Sequence, residues 1–491
     1  GIRFFALLRM TANHHFLDSL LLPAIKIKMK SRTLIMTMLL LSSLSASAQN
    51  IFSTVCQGNL SRLDSLLQHE SINMQDNRGR SLLHWAIGCK KKEVVVILIE
   101  KGINVNQEDH QKRTPMHVAV QFDNESYFTM LYDVQPNTSW MDTYGTSLLE
   151  IAVLNKSKVF VTKLIEIGVD VNSKNKRGST PLEIAKRIDA IEIYELLLSL
   201  GADKSKIRTI TMNGEYMGQQ PPKLTPKVFA PNFISTEESE FGSVFNSDAT
   251  EFYYGVDVNG KNEIRYSRMT GNQWSKPKTM LSHERYGYND PFLSPDEDRL
   301  YFISKRALDG VSELKDVDIW YVEKVKDGWS EPINAGPNIN SDGNEYYISF
   351  TNNGTMYFSS NANALEERKR SDYDIYYSRF INGKFQKPVV LGDAINTEDY
   401  EADVFIAPDE SYIIFCSTRE NGFGRGDLYI SFKKADGTWT TAVTMGKEIN
   451  TQHYEYCPFV TKDGKYLFYT SNQDIYWVST EIITKIKEKS R

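Results

Sequence analysis

Two periods of apolar positions divide the chain. From about residue 51 to 206 apolar side chains recur at helical spacing, as in Val94-Val-Val-Ile-Leu-Ile99 and Val159–Ile165. From about 226 to 480 the texture switches to short runs rich in Tyr, Phe and Ile, each led by a turn motif, which is the pattern of strands. The first segment predicts short helices and the second predicts small antiparallel sheets. Between Lys204 and Leu224 the periodicity fades, and Gly214, Gly218 and Gln219-Gln-Pro-Pro222 predict a short, partly stiff connector over 207–225.

The helical segment, 49–206, repeats with a fixed step. Ser81, Thr114, Ser147 and Thr180 advance by 33 residues, and so do Ala86, Ala119, Ala152 and Ala185. Ser-Leu-Leu-His84, Thr-Pro-Met-His117, Ser-Leu-Leu-Glu150 and Thr-Pro-Leu-Glu183 open successive units, with Asp76, Asp109, Asp142 and Asn175 just before them. The segment resembles the ankyrin repeat in period, opening motif and unit ends together. That resemblance implies about five helix pairs, stacked because one unit cannot bury its apolar face alone. The third unit departs from the pattern, with Lys112 at the turn glycine and a poor ending at Asp133-Val-Gln-Pro-Asn137, so a local distortion is expected there.

The strand segment has a longer period of about 50–57 residues. Turns at Asn246-Ser-Asp248, Ser294-Pro-Asp296, Thr351-Asn-Asn-Gly354, Ala407-Pro-Asp409 and Thr461-Lys-Asp-Gly464 each lead into an aromatic strand. A following strand opens with an acid: Glu263, Asp318, Asp374, Asp427 or Asp474. Four short strands per unit in five units point to a β-propeller. The Ser-Pro-Asp and Asp-Ile-Tyr signatures resemble the WD40-like repeat of TolB-type propellers. The stretch Pro226–Thr236 matches the end of a repeat without its beginning, and the fifth repeat stops after its Asp474 strand. The expected fold is therefore a multidomain α + all-β chain, an ankyrin solenoid followed by a five-bladed propeller over 226–480. The propeller closes on its own N-terminal strand, and a charged tail follows at 481–491.

In ankyrin-like stacks the turn tips and inner helix face meet protein partners, which makes Asn77, Arg78, Arg80, His110, Gln111, Thr143, Tyr144, Lys176 and Arg177 the candidate binding residues. Trp85 is a candidate exposed anchor, against the alternative that it packs on an adjacent unit. His84 and His117 hold the family's structural histidine position. In the propeller, Glu240, Glu345, Glu401 and Glu455 start four inner strands, with Asn289 in the fifth place. They are read either as an acidic channel mouth for a cation, a basic segment or a glycan, or as structural carboxylates bonded to a neighbouring blade. The loops Arg306–Val317, Asn361–Tyr373 and Arg419–Gly426 vary most and share that face.

Composition narrows the function. A net charge of −5 over 491 residues leaves no footprint for nucleic acid. Cys56, Cys89, Cys416 and Cys457 are too few and too scattered for a disulfide framework or metal cluster, so buried free thiols are expected. Residues 29–48 read as a signal peptide: Met29-Lys30-Ser31-Arg32 is basic, Leu34–Leu41 apolar, and Ala46-Ser47-Ala48 suits cleavage. Residues 1–28 then read as an over-extended start, and no later stretch is apolar enough to span a bilayer. The chain carries no Gly-x-Ser-x-Gly, His-Glu-x-x-His, phosphate-binding glycine loop or Cys-x-x-Cys. No catalytic residue, cofactor or metal site is expected. The expectation is an exported protein–protein interaction scaffold, periplasmic or secreted, whose partners include cell-envelope proteins. The alternative is a glycan-binding or glycan-active propeller.

Overall fold

The structure is a computed structural model that describes residues 51–489 except 135–140, 144, 259, 327, 363–372 and 421. The expected signal peptide, Tyr144 and the tip of the loop after blade 3's second strand lie outside the described residues. The chain divides near Thr209 into two compact units with separate hydrophobic cores.

The N-terminal unit is five helix pairs. A helix over 51–57 pairs with Leu60–Leu66. Leu82–Gly88, Pro115–Gln121, Leu148–Leu154 and Pro181–Arg187 then start successive pairs. Lys92–Glu100, Glu125–Tyr132, Lys158–Glu166 and Ile191–Ser199 complete them. The Ser/Thr-x-x-His/Glu motif is the helix start signal. Thr180 caps the amide of Glu183, whose carboxylate accepts from the Thr180 amide at 3.0 Å, so two orphan donors are met at once. His84 and His117 do the same with an imidazole, each Nδ1 accepting from the Ser81 or Thr114 amide at 3.1 Å. The periodic Ala86, Ala119, Ala152 and Ala185 are fully buried, because a larger side chain would hold neighbouring helices apart.

Of the two places where the third unit departs from the pattern, the Lys112 turn is undistorted, and the ending from residue 135 lies outside the described residues. The Lys112 turn closes like the others, with the Asp109 amide donating to Arg113 O at 2.9 Å, and Lys112 adopts the left-handed φ of 58° that glycine takes elsewhere. One thiol expectation fails as well: Cys56 and Cys89 form a disulfide across a Cα–Cα distance of 5.2 Å. They are 33 residues apart, one repeat step, so they occupy equivalent places on the first two helix pairs. Cys416 and Cys457 are free and buried, as expected.

The second unit is a five-bladed propeller. Inner strands run Ser239–Phe245, Tyr288–Leu293, Glu345–Phe350, Glu401–Ile406 and Glu455–Val460 in blades 1 to 5. Each pairs antiparallel with a second strand, and that with a third and a short outer one. Blade 5 takes its outer strand from the other end of the domain: Lys227–Val228 pairs with Asp474–Ser479, Lys227 opposite Trp477 and Val228 opposite Tyr476. The Phe229 amide continues the ladder to Ile475 O at 2.8 Å. The ring is closed by its N-terminal strand.

Two segments differ from the sequence reading. Residues from Ile210 onward belong to the propeller rather than to a free connector. Tyr216 and Met217 are buried there, and Tyr216 packs on Phe245 of blade 1 and Tyr466 of blade 5 while donating to Asp463 Oδ2 at 2.9 Å. The charged tail is a helix, Glu481–Lys489, whose Ile482 and Ile483 are buried in the propeller core. Its apolar residues fall on one stripe, and that stripe outweighs the high charge content in deciding its fate.

Candidate functional site

The ankyrin turn tips form a row tied residue to residue. Asp76 Oδ1 accepts the amides of Arg78 and Arg80 at 2.9 and 2.8 Å, and Asp109 and Asn175 repeat the device. Successive tips are linked: the His110 amide donates to Arg78 O at 2.9 Å, and the Thr143 amide to Gln111 O at 2.8 Å. Lys176 Nζ donates to Thr143 O, and Arg208 Nη1 to Arg177 O at 3.3 Å. Gly79 is needed where tips touch, because a Cβ there would lie 2.6 Å from the His110 ring.

Of the candidates, Asn77, His110 and Lys176 are exposed, while Arg78, Arg80, Gln111, Thr143 and Arg177 are half-buried. Trp85 is not a free anchor. Its Nε1 donates to Asp76 Oδ2 at 3.0 Å, its ring packs on Phe52 of the preceding helix pair, and the Arg80 guanidinium lies 4.4 Å over it. Trp85 and Arg80 thus brace a turn, as the packing alternative expects. His84 is buried and neutral: burial pulls its pKa down to about 4, and Nε2 donates to Arg113 O at 2.9 Å.

The propeller glutamates do not form an acidic mouth. Glu240, Glu345, Glu401 and Glu455 are all 0% exposed. Each accepts hydrogen bonds from the Ser or Thr four residues earlier, on the segment arriving from the previous blade. The amides of Thr236, Ser341, Thr397 and Thr451 donate at 2.8–3.1 Å, and their hydroxyls donate as well. In blades 3 to 5 a second-strand serine adds a third bond: Ser360, Ser417 or Ser471. The preceding asparagines, Asn340, Asn396 and Asn450, clamp the third strand of their own blade through both amide atoms. The recurring Ile-Asn-Ser/Thr…Glu text is therefore a blade-to-blade latch. Burial pushes the Glu345 carboxyl up to about 7 and raises that of Glu401. The fifth place is also corrected. Opposite Ser304, where the register puts the glutamate, stands Tyr288, and Asn289 lies one residue on, opposite Ile303.

The channel is lined two residues further along each inner strand. Gly242, Asp290, Tyr347, Asp403 and Cys457 occupy that position in blades 1 to 5, each at a bulge with φ between 41° and 53°. The bulge turns the side chain out of the sheet and toward the axis. Cys457 Sγ donates to Asp290 Oδ1 at 3.5 Å, and Tyr347 reaches across to donate to Pro458 O of blade 5 at 2.9 Å. Asp290, Asp403 and Cys457 present ligand atoms that all lie within 4.8 Å of one another. All three are buried, and burial together with the facing Asp290 carboxylate pushes the Asp403 carboxyl and the Cys457 thiol well up. No single motif carries these residues. Their signal is the column that appears when Phe241-Gly242, Asn289-Asp290, Tyr346-Tyr347, Ala402-Asp403 and Tyr456-Cys457 are aligned on the strand register.

Asp427, which opens blade 4's third strand, is 1% exposed and accepts from the amides of Phe423 and Gly424. Among the described residues no helix is long and apolar enough to cross a membrane. The fold thus defines a chain of stacked ankyrin-type helix pairs followed by a five-bladed propeller. The family model for ankyrin repeats matches residues 51–139 in three copies, and the helix pairs continue past the match through Ser199. No curated protein matches the sequence.

Proposed function

We propose that the protein is a non-catalytic interaction scaffold, exported to the periplasm or beyond, in which the ankyrin row and a TolB-type propeller each take a protein partner, envelope proteins among them. The observation that carries this reading is the row of turn tips. Asn77, His110 and Lys176 are exposed on the first, second and fourth of the 33-residue-spaced tips, on backbone fixed by hydrogen bonds, so a partner meets prearranged side chains and orders little on binding. The Cys56–Cys89 disulfide supports export, because such bonds persist in oxidising compartments. The glycan alternative loses the open carboxylates on which it rested, since all four glutamates are spent on latches.

The test is capture from envelope extract by the full chain and by a variant carrying Asn77→Ala, His110→Ala and Lys176→Ala. These side chains brace no helix, so the variant keeps its far-ultraviolet dichroism. A partner held by the natural protein and released by the variant is the expected outcome. Identical captured sets from the two proteins would sink the turn-tip reading.

A further inference from the structure

We propose that the propeller axis binds one divalent transition cation of the zinc class, held by Asp290, Asp403 and Cys457. This goes beyond the scaffold reading and does not depend on it. Three blades supply one donor each, and the donor atoms lie within 4.8 Å of one another. A tetrahedral ion with metal–oxygen distances of about 2.1 Å and metal–sulfur of about 2.3 Å spaces its ligands roughly 3.5 Å apart, so closure by roughly 1 Å completes the set.

A second observation also points to a ligand. Asp403 is 8% exposed, and its carboxylate has no hydrogen-bond partner among the described residues. Buried carboxylates ordinarily find donors, as every latch glutamate of this propeller does. Asp403 faces instead another carboxylate and a thiol, neither of which compensates a negative charge. A cation placed among the three donors is the group that compensates the Asp403 charge.

The donor set selects the ion. A thiolate disfavours calcium and magnesium, which take six or more oxygens, and favours zinc and its neighbours. Blade 1 contributes no side chain, because Gly242 stands in the column and a Cβ there would lie 2.8 Å from Asp290 Oδ1. Tyr347 is committed to Pro458 O. The fourth coordination position thus falls to water.

Cobalt(II) is the probe, since a thiolate ligand gives it a near-ultraviolet charge-transfer band and four-coordination gives it intense visible bands. The full chain, stripped with a chelator and titrated with cobalt, is expected to show both, saturating at one ion per chain and bleached by zinc. Only two free thiols are present in the described residues, so they can be told apart. Cys457→Ser should lose the charge-transfer band and Cys416→Ser should keep it. Asp403→Asn removes a buried charge without changing volume, so its metal-free form should melt no lower than the natural protein while its cobalt affinity falls. Zinc should raise the melting temperature of the natural propeller, because the ion ties three blades together and binds only the folded form. No band in a folded natural chain would overturn the proposal, as would a band that survives Cys457→Ser or disappears in Cys416→Ser.

Discussion

At the scale of single residues, two buried ionisable groups impose opposite pH dependences on the two units. His84 is held neutral, its pKa pulled by burial from 6.5 to about 4. The unfolded chain takes up this proton first, so the stabilisation is complete above the ordinary value and is lost as pH falls through about 4. Glu345 is the reverse case, an acid raised by burial from 4.5 to about 7. Its stabilisation is complete below the ordinary value and is lost as pH rises through about 7. Each group changes the stability of its unit by about 3 kcal/mol over its window. Melting followed by hydrogen exchange, which separates the units, should find His84→Gln flattening the ankyrin slope between about pH 4 and 6.5. An unchanged slope in that variant would mean that other groups set it. Unlike Asp403, Glu345 has its donors, which is why its burial is structural rather than a sign of a missing ligand.

At the scale of elements, the 33-residue step explains both what the sequence discloses and what it hides. Helix pairs and blades are legible because each repeat restates its turn, cap and apolar stripe within one local window. The disulfide is legible only when Cys56 and Cys89 are measured against the repeat step instead of against the spacing of small disulfide-rich domains. The axial cluster is hidden further, since Asp290, Asp403 and Cys457 share no motif and meet only through strand register in three blades. Asn289 illustrates the sensitivity: one residue of slip moves a side chain to the opposite face. The latch glutamates mislead for a related reason, because regular spacing marks a ring of positions without saying which way the side chain points. The disulfide itself has an element-scale role. The first helix pair lacks the opening turn motif and, among the described residues, has a neighbouring pair on one side only, so a covalent tie to the next pair adds most there. Closing a loop of 33 residues stabilises by roughly 3–4 kcal/mol in the chain-entropy model. Cys56→Ser should therefore raise amide exchange over 51–66 with little change over 148–199. Equal protection in both proteins would show that packing alone holds the first pair.

At the scale of the whole molecule, the two units keep separate cores, and the propeller's integrity depends on one joint. Blades 1 to 4 each contain their own outer strands, whereas blade 5 borrows Lys227–Val228 from the beginning of the domain. The joint is reinforced by aromatic packing: Phe229 is fully buried with ring centroids 5.0 Å from Phe468, 5.2 Å from Phe252 and 5.4 Å from Trp477. Those partners belong to blades 5 and 1, so one side chain fills the seam between the last blade and the first. Tyr216 crosses the same seam, reaching Phe245 and Tyr466. Truncating a buried phenylalanine removes its transfer energy and leaves a cavity, about 3–5 kcal/mol together. Phe229→Ala should lower the propeller's melting transition by that amount and leave the ankyrin transition in place. Deleting 226–236 should do more, opening blade 5 and exposing the unpaired edge of Asp474–Ser479 to aggregation. Removing the outer strand Val443–Thr444 of blade 4 serves as the comparison, since it is half-buried and closes no ring. If the seam and blade 4 changes lowered the propeller transition equally, closure would contribute nothing beyond an ordinary outer strand. The expected result is a larger loss at the seam, because there two blades come apart at once.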